Sequence, residues 1–210
     1  MHLILVRHGE TPENLQGEIQ GQRETQLSDT GKQQALEIGE YLRDQPLYAA
    51  FTSDLQRAMD TTKQILSYHP GIESYFRPQL RERSLGVFEG RMVPEFEQSV
   101  TEQPLPYYEY RPPGGESLLD VEARVESLWR SIWEQFNDKT ILISAHNGAN
   151  LALLKILLKY TFEEAKSLRQ DNACINIIDL GPDGSIVSKS LNYTSHLSAK
   201  TDNRMGGLSR

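Results

Sequence analysis

Short apolar runs alternate with amphipathic stretches along most of this chain. The apolar runs predict strands at 2–6, 48–51, 140–144, 173–180 and 185–193. The amphipathic stretches predict helices at about 29–44, 54–67, 117–136, 149–159 and 162–169. Strands that alternate with helices form βαβ units, so the pattern favours a mostly parallel sheet covered by helices on both faces.

Two regions depart from this alternation. The segment Gly181-Pro182-Asp183-Gly184 is a strong turn signal, so the last two strands should form a hairpin at an antiparallel edge of the sheet. Region 84–115 is rich in proline and aromatic residues and predicts a lid-like excursion. The expected fold is α/β: a three-layer α/β/α sandwich in a single domain over 1–210, with a tail at 198–210 that folds over the site or stays flexible.

Composition narrows the class of protein. The formal net charge of −7 disfavours binding to nucleic acid or to a membrane surface, although a locally positive pocket can still take a small anion. The single cysteine, Cys174, leaves no intramolecular disulfide. The chain has neither a secretory signal pattern nor an apolar stretch of about 18 residues, so we expect a reducing, cytoplasmic setting. Monomer and homodimer both remain open.

Cationic and imidazole side chains follow the predicted strands. Arg7 and His8 follow the first strand, Arg57 lies in the helix after the second, and His146 and Asn147 follow the third of these runs. Ligands of open α/β sheets bind beyond the carboxyl ends of the strands, so these side chains should meet. Arginine forks and helix N-termini suit a phosphoryl group. The alternative is that they are unrelated polar residues at strand ends.

Competing catalytic motifs are absent from the sequence. It contains no G-x-x-x-x-G-K-[ST], G-x-S-x-G, H-E-x-x-H or G-x-G-x-x-G pattern. No carboxylates accompany the histidines at an obvious metal-ligand spacing, and the adjacent arginines would repel a cation. We therefore predict a reaction without a metal or another cofactor.

Several ordered sequence blocks resemble the histidine phosphatase superfamily, also called the phosphoglycerate mutase-like family. They are "RHGET" (7–11), "SDLQRAMDT" (53–61), "LRERSLGVFEG" (80–90), "PGGES" (113–117), "ISAHNG" (143–148) and "LNYTSHL" (191–197). The resemblance covers most of the chain and implies the phosphoglycerate mutase-like fold.

The resemblance implies roles for individual residues. It assigns transient phosphorylation to His8 and proton donation to Glu82. It assigns phosphate or substrate contacts to Arg7, Asn14, Gln20, Gly21, Arg57, His146 and Asn147. In one departure, Asn147 stands where the family commonly has glycine, which reduces the backbone freedom of the residue after the second histidine.

These residues suggest two successive phosphoryl transfers. Neutral His8 attacks phosphorus and water then attacks the phosphohistidine, while both arginines and a protonated His146 stabilise the oxygens. Glu82 would protonate the leaving group and later deprotonate water. The alternative role for Glu82 is an ion pair with Arg81 or Arg83.

Three functions remain open at this stage. Only about 30 residues separate Glu82 from "PGGES", which favours a phosphatase of small phosphorylated metabolites over a cofactor-dependent phosphoglycerate mutase. A non-catalytic phosphate- or protein-binding module is disfavoured because a buried charged cluster costs stability. Tyr107, Tyr108 and Tyr110 either form an apolar wall for the substrate or only pack the excursion.

Overall fold

The computed structural model describes residues 1–198, so the predicted tail lies outside the described residues except for Ser198. The strands are β1 (His2–Arg7), β2 (Ala49–Thr52), β3 (Glu73–Phe76), β4 (Thr140–Ala145), β5 (Ile175–Leu180) and β6 (Ile186–Tyr193). The helices are α1 (Pro12–Gln16), α2 (Asp29–Leu42), α3 (Gln56–Leu66), α4 (Val93–Thr101), α5 (Leu118–Phe136), α6 (Asn147–Leu158) and α7 (Phe162–Lys166).

Within residues 1–198 the strands form one sheet in the order β3-β2-β4-β1-β5-β6. β1, β2, β3 and β4 pair in parallel, whereas β5 runs antiparallel to β1 and β6 runs antiparallel to β5. The predicted α/β sandwich with a mostly parallel sheet and an antiparallel edge hairpin is therefore confirmed.

The central strand β1 shows why this sequence forms a covered sheet. Leu3 to Val6 are each 0 % exposed, since both faces of the strand are buried. Leu3 and Leu5 pack into a core with α5 and α6, whereas Ile4 and Val6 pack into a second core beneath α2. No helix among residues 1–198 is both long enough and apolar enough to cross a membrane.

The region predicted as an excursion has structure of its own. It contains α4 and a small separate core in which Phe96 and Tyr110 pack with Ile19. Ordered packing of this kind distinguishes the region from an unstructured loop. The hydrophobic pattern did not predict β3, because its residues are exposed or only half-buried and lack a continuous apolar run.

Candidate active site

The sheet order brings the predicted site residues to one edge. β2, β4 and β1 are neighbours and run in parallel, so their carboxyl ends lie side by side. Arg7 is the last residue of β1, Arg57 lies in the first turn of α3, and Asn147 begins α6 directly after β4. The expected clustering therefore follows from the order of three strands.

A cavity of about 240 Å³ opens at this edge. Its wall includes every residue predicted for the site except His146: Arg7, His8, Asn14, Gln20, Gly21, Arg57, Glu82 and Asn147. We call this part of the cavity, together with His146 behind it, the phosphate end.

His8 is oriented by its own loop. The side chain is 2 % exposed, and its Nδ1 lies 2.7 Å from the Gly9 carbonyl oxygen. A carbonyl can only accept, so Nδ1 carries the proton and Nε2 carries the lone pair. Burial, followed by the charges of Arg57 and Arg7, holds the His8 pKa well below its usual value. The imidazole is therefore neutral and nucleophilic at neutral pH.

His146 lies behind His8 and is fully buried. The two ring centroids are 5.1 Å apart, and His146 Nε2 lies 2.8 Å from Ser53 Oγ. Burial, then the charges of Arg57 and His8, hold its pKa well below the usual value. The two arginines and the loss of hydration thus oppose a positive charge on this ring, and a protonated His146 during the reaction stays a prediction.

The two arginines are buried cations held by main-chain carbonyls. Arg57 is 1 % exposed and donates to the Gly21 oxygen at 2.8 Å, while Arg7 donates to the Gln170 oxygen. Burial lowers the Arg57 pKa to about 10, so the guanidinium stays charged at neutral pH. The Nε–H groups of both arginines are buried and have no acceptor in the described part of the chain. An anion with several oxygens would satisfy such donors.

The side-chain oxygens of Asn14 and Gln20 accept hydrogen bonds from within the protein. Asn14 Oδ1 accepts from the Thr11 amide and from Asn172 Nδ2, both at 3.1 Å, which leaves the Asn14 amino group as its donor. Gln20 Oε1 accepts from Thr25 at 2.6 Å.

Asn147 needs no glycine-like conformation. It is the first residue of α6 and is not among the described residues with positive φ, so the departure from the family pattern causes no backbone strain there.

Glu82 is docked on the first turn of α6. Its Oε1 accepts from the Gly148 amide at 3.0 Å and from the Arg83 amide at 2.8 Å. A Cβ at position 148 would lie 2.4 Å from this oxygen, so glycine is needed for the close approach. Gly148 is thus a positioning residue to which the sequence analysis gave no role.

The alternative ion pairs of Glu82 do not form among residues 1–198. Arg81 instead pairs with Asp54, with 2.7 Å between Nη2 and Oδ2. Arg83 donates to the main-chain oxygens of Glu116 at 2.7 Å and Tyr110 at 2.6 Å. The Glu82 carboxyl group therefore lines the cavity instead of neutralising a neighbouring side chain.

A polar segment before β5 supports the phosphate end and was missed entirely. The Gln170 carbonyl accepts from Arg7, and Asn172 Nδ2 lies 3.2 Å from the His8 oxygen and 3.4 Å from the Gly9 oxygen. The Ala173 amide also donates to the His8 oxygen at 3.1 Å. The predicted antiparallel hairpin could have indicated this segment. A strand that runs antiparallel to β1 begins at the carboxyl end of β1, so the residues just before it lie near the site.

The three tyrosines of the excursion have different positions. Tyr107 lines the cavity, Tyr108 stacks on Phe162 with centroids 4.7 Å apart, and Tyr110 packs in the small core with Phe96. Tyr108 and Tyr110 therefore pack the excursion, whereas a contact of Tyr107 with the substrate stays a prediction.

Two histidines, two arginines and a carboxyl group thus surround one cavity, and this set suits an anionic phosphoryl group. The model of the histidine phosphatase superfamily (branch 1) matches residues 3–193. This chain belongs to that superfamily, as the sequence blocks had indicated.

Similar proteins include both phosphatases and mutases. Fructose-2,6-bisphosphatase TIGAR B of Danio rerio is 39 % identical over 63 % of this chain, but over only 53 % of its own length. The 2,3-bisphosphoglycerate-dependent phosphoglycerate mutase of Chelativorans sp. (strain BNC1) is 33 % identical over 90 % of this chain and 97 % of its own. The structure of mycobacterial glucosyl-3-phosphoglycerate phosphatase matches with a TM-score of 0.79 and 28 % identity, covering 92 % of this chain and 99 % of that one.

Proposed function

We propose that this protein is a phosphomonoester hydrolase that forms a phosphohistidine at His8 and acts on small phosphorylated metabolites. The observation that carries the proposal is the state of His8. Its Nδ1 is bound to the Gly9 carbonyl, and its pKa is lowered beside Arg7 and Arg57. An uncharged Nε2 beside two buried cations is the nucleophile that an anionic phosphate ester requires.

In the first transfer, His8 Nε2 attacks phosphorus in line and the bond from phosphorus to the ester oxygen breaks. The leaving oxygen takes a proton from the Glu82 carboxylic acid. Arg7 and Arg57 stabilise the charge on the non-bridging oxygens, since both guanidinium groups are fixed before substrate arrives. A bound phosphate dianion would favour protonation of His146, which the two arginines alone oppose.

In the second transfer, a water oxygen attacks the phosphohistidine. The Glu82 carboxylate takes a proton from this water, the phosphorus–nitrogen bond breaks, and its electron pair returns to His8 Nε2. Inorganic phosphate leaves, and both side chains regain their starting protonation states. The two transfers together need only the phosphate ester and water.

We propose that the reaction is independent of metal ions. Arg7 and Arg57 supply two fixed positive charges at the phosphate end, which is the role that a divalent cation has in other phosphoryl-transfer enzymes. Within residues 1–198, no group of three or more His, Cys, Asp or Glu side chains has metal-binding geometry.

Phosphate release from 4-nitrophenyl phosphate tests the hydrolase proposal. We expect turnover in buffer treated with a chelator, at the rate found without the chelator. No turnover of this or any other phosphomonoester would contradict the proposed function. Activity that is lost with the chelator and restored by a divalent cation would contradict metal independence alone.

The second candidate is a phosphoglycerate mutase, favoured by the mutase relative that aligns over 97 % of its length. A mutase returns the phosphoryl group to a second hydroxyl group, whereas a phosphatase transfers it to water. We expect 3-phosphoglycerate with a bisphosphoglycerate primer to yield no 2-phosphoglycerate. Its formation at a rate above that of phosphate release would favour the mutase.

We further propose that the protein works in the reducing cytoplasm. Its single cysteine is free and buried, and burial raises the Cys174 pKa to about 12. A chain with one cysteine and no disulfide partner for it is typical of proteins in a reducing compartment.

A further inference from the structure

The cavity continues beyond the phosphate end into an apolar region. We call this region the apolar end; its wall includes Leu85, Tyr107, Leu118, Leu151, Ala152, Phe162 and Ala165. These residues come from the excursion, α5, α6 and α7, so four separate parts of the chain build it. A phosphoryl group alone would not need such a wall, since its oxygens require donors.

Helix α6 sets the distance between the two ends. Asn147 and Gly148 line the phosphate end, while Leu151 and Lys155 line the cavity further along the same helix. At about 1.5 Å per residue, Leu151 lies about 6 Å and Lys155 about 12 Å along the axis from Asn147. The apolar wall therefore begins about one helical turn from the phosphate, where the alcohol part of an ester would lie.

The aromatic part of this wall is held in place. The Tyr107 hydroxyl donates to the Phe162 carbonyl oxygen at 2.6 Å, and Tyr108 stacks on the Phe162 ring. Burial, with the nearby charge of Glu163, raises the Tyr107 pKa to about 12, so its phenol stays neutral. Tyr107 thus presents an uncharged ring to the cavity.

The cations near the apolar end are partly engaged by the protein. Lys155 Nζ lies 2.7 Å from Glu122 Oε1 and 4.4 Å from the Phe162 ring centroid, and Lys166 Nζ lies 5.0 Å from the Tyr107 centroid. Arg83, the third arginine of the cavity wall, donates Nε and Nη2 to main-chain oxygens. The described residues therefore do not build a second arginine pair like Arg7 and Arg57 for another phosphate.

We propose that the apolar end binds the alcohol part of the substrate, and that the preferred substrates are phosphomonoesters of aliphatic or aryl alcohols. Sugar phosphates and bisphosphates are disfavoured, because hydroxyl groups or a second phosphate would lose hydration against carbon, while Lys155 and Lys166 are engaged with Glu122 and with aromatic rings. This inference rests on the proposed hydrolase function, since it concerns the substrate of the same site.

A series of n-alkyl phosphates from ethyl to hexyl tests the proposal. Each methylene group that leaves water for an apolar wall should raise kcat/KM about threefold until the cavity is filled. Glycerol 3-phosphate and fructose 2,6-bisphosphate should react more slowly than butyl phosphate. A kcat/KM that does not change with chain length would overturn this inference and leave the hydrolase proposal intact. No hydrolysis of any ester would contradict the hydrolase proposal itself.

The variant Leu151→Asn places an amide in the apolar wall. We expect kcat/KM for hexyl phosphate to fall about tenfold more than kcat/KM for ethyl phosphate, because only the longer chain covers the apolar wall. The ethyl phosphate reaction shows in the same sample that the protein is folded. The matched control is Leu36→Asn on α2, where a 40 % exposed leucine lies outside the cavity wall. Equal losses for both esters in Leu151→Asn would also overturn the inference.

Discussion

The two ends of the cavity are built from different kinds of structure. At the phosphate end, His8 and Arg57 are at most 2 % exposed and are held by contacts to main-chain oxygens. At the apolar end, Leu151 and Phe162 are half-buried side chains on helices near the surface. One end has fixed charges, and the other has carbon surface without a comparable set of hydrogen bonds.

Under the proposed function, the residues that carry out the reaction are therefore separate from those that select the substrate. Side chains at the carboxyl ends of β1, β2 and β4 sit on inner strands of the sheet, and small displacements of reacting groups are costly. The apolar wall comes from helices and the excursion, which can change without altering the sheet. The comparison predicts that substitutions at the phosphate end lower the rate for every ester, whereas those at the apolar end change the preference among esters.

The largest effect should come from His8→Ala. Without the nucleophile, kcat for hexyl phosphate should fall by at least about 10⁴-fold. An acid-labile, alkali-stable phosphoenzyme should form in the wild type after rapid quenching and disappear in the variant. Binding of hexyl phosphate, measured by calorimetry, should still exceed that of ethyl phosphate, because the apolar end is unchanged.

The matched control for this prediction is His69→Asn. His69 is a buried histidine that does not line the cavity, so its replacement should leave the phosphoenzyme in place. A phosphoenzyme that persists in His8→Ala would show that another residue is the nucleophile.

The next largest effect is expected for Glu82→Gln. The amide cannot donate a proton to an alkoxide, so kcat/KM for alkyl phosphates, which reports the first transfer, should fall about 10²- to 10⁴-fold. The kcat/KM for 4-nitrophenyl phosphate should fall far less, because nitrophenolate leaves without protonation. The control Glu126→Gln, at a half-buried glutamate that pairs with Arg130 outside the cavity wall, should change neither rate.

The same variant sharpens the comparison of the two ends. If they act independently, the gain of about threefold per methylene group should survive in Glu82→Gln, because effects at separate sites add. Equal losses of kcat/KM for alkyl and nitrophenyl esters would contradict the role of Glu82 as the general acid.

The sequence predicted the phosphate end far better than the apolar end, for a physical reason. β1 and β4 are continuous apolar runs, and the residues that follow such strands meet wherever the strands are parallel neighbours. Arg7, His8 and Asn147 could therefore be grouped from the hydrophobic pattern alone. The excursion lacks periodicity, so nothing in its sequence separates Tyr107 at the cavity from Tyr110 in the small core.

The supporting contacts were missed for a related reason. Gly148 is required by a close approach of Glu82, and Asn172 reaches the His8 loop from a segment distant in sequence. Both contacts depend on the packing of elements against one another, which spacing along the chain does not show. β3 was missed because an edge strand with little burial leaves only a weak hydrophobic pattern.

A smaller effect is expected for Asn172→Ala. Its amide donates to the His8 and Gly9 oxygens and to Asn14 Oδ1, so its loss should loosen the nucleophile. We expect kcat to fall about 10²-fold for ethyl and hexyl phosphate alike, with little change in the ratio between them.

The control for Asn172→Ala is Asn137→Ala at the exposed end of α5, which should be near wild type. Rescue by Asn172→Gln would fit a hydrogen-bonding role. A changed preference between the two esters would break the proposed separation of the ends.

The smallest expected effect is the dependence of the free energy of unfolding on pH. The His8 and His146 pKa values lie well below 6.5 in the folded protein, chiefly because both rings are buried, and return to about 6.5 on unfolding. Below pH 6.5 the unfolded chain binds more protons, so the free energy of unfolding should fall as pH falls. The slope approaches about 1.4 kcal/mol per pH unit for each histidine until its folded pKa is reached.

Urea unfolding at several pH values between 7 and 5 measures this slope. Variants at the two ends of the cavity should differ in it. His8→Gln removes one of the two buried imidazoles at the phosphate end, so its stability should depend less steeply on pH than that of the wild type. Leu151→Asn at the apolar end removes no titrating group and should keep the wild-type slope even if its stability is lower throughout. The same slope in His8→Gln and in the wild type would mean that His8 is not held neutral by the fold, and would remove the main support for its role as the nucleophile.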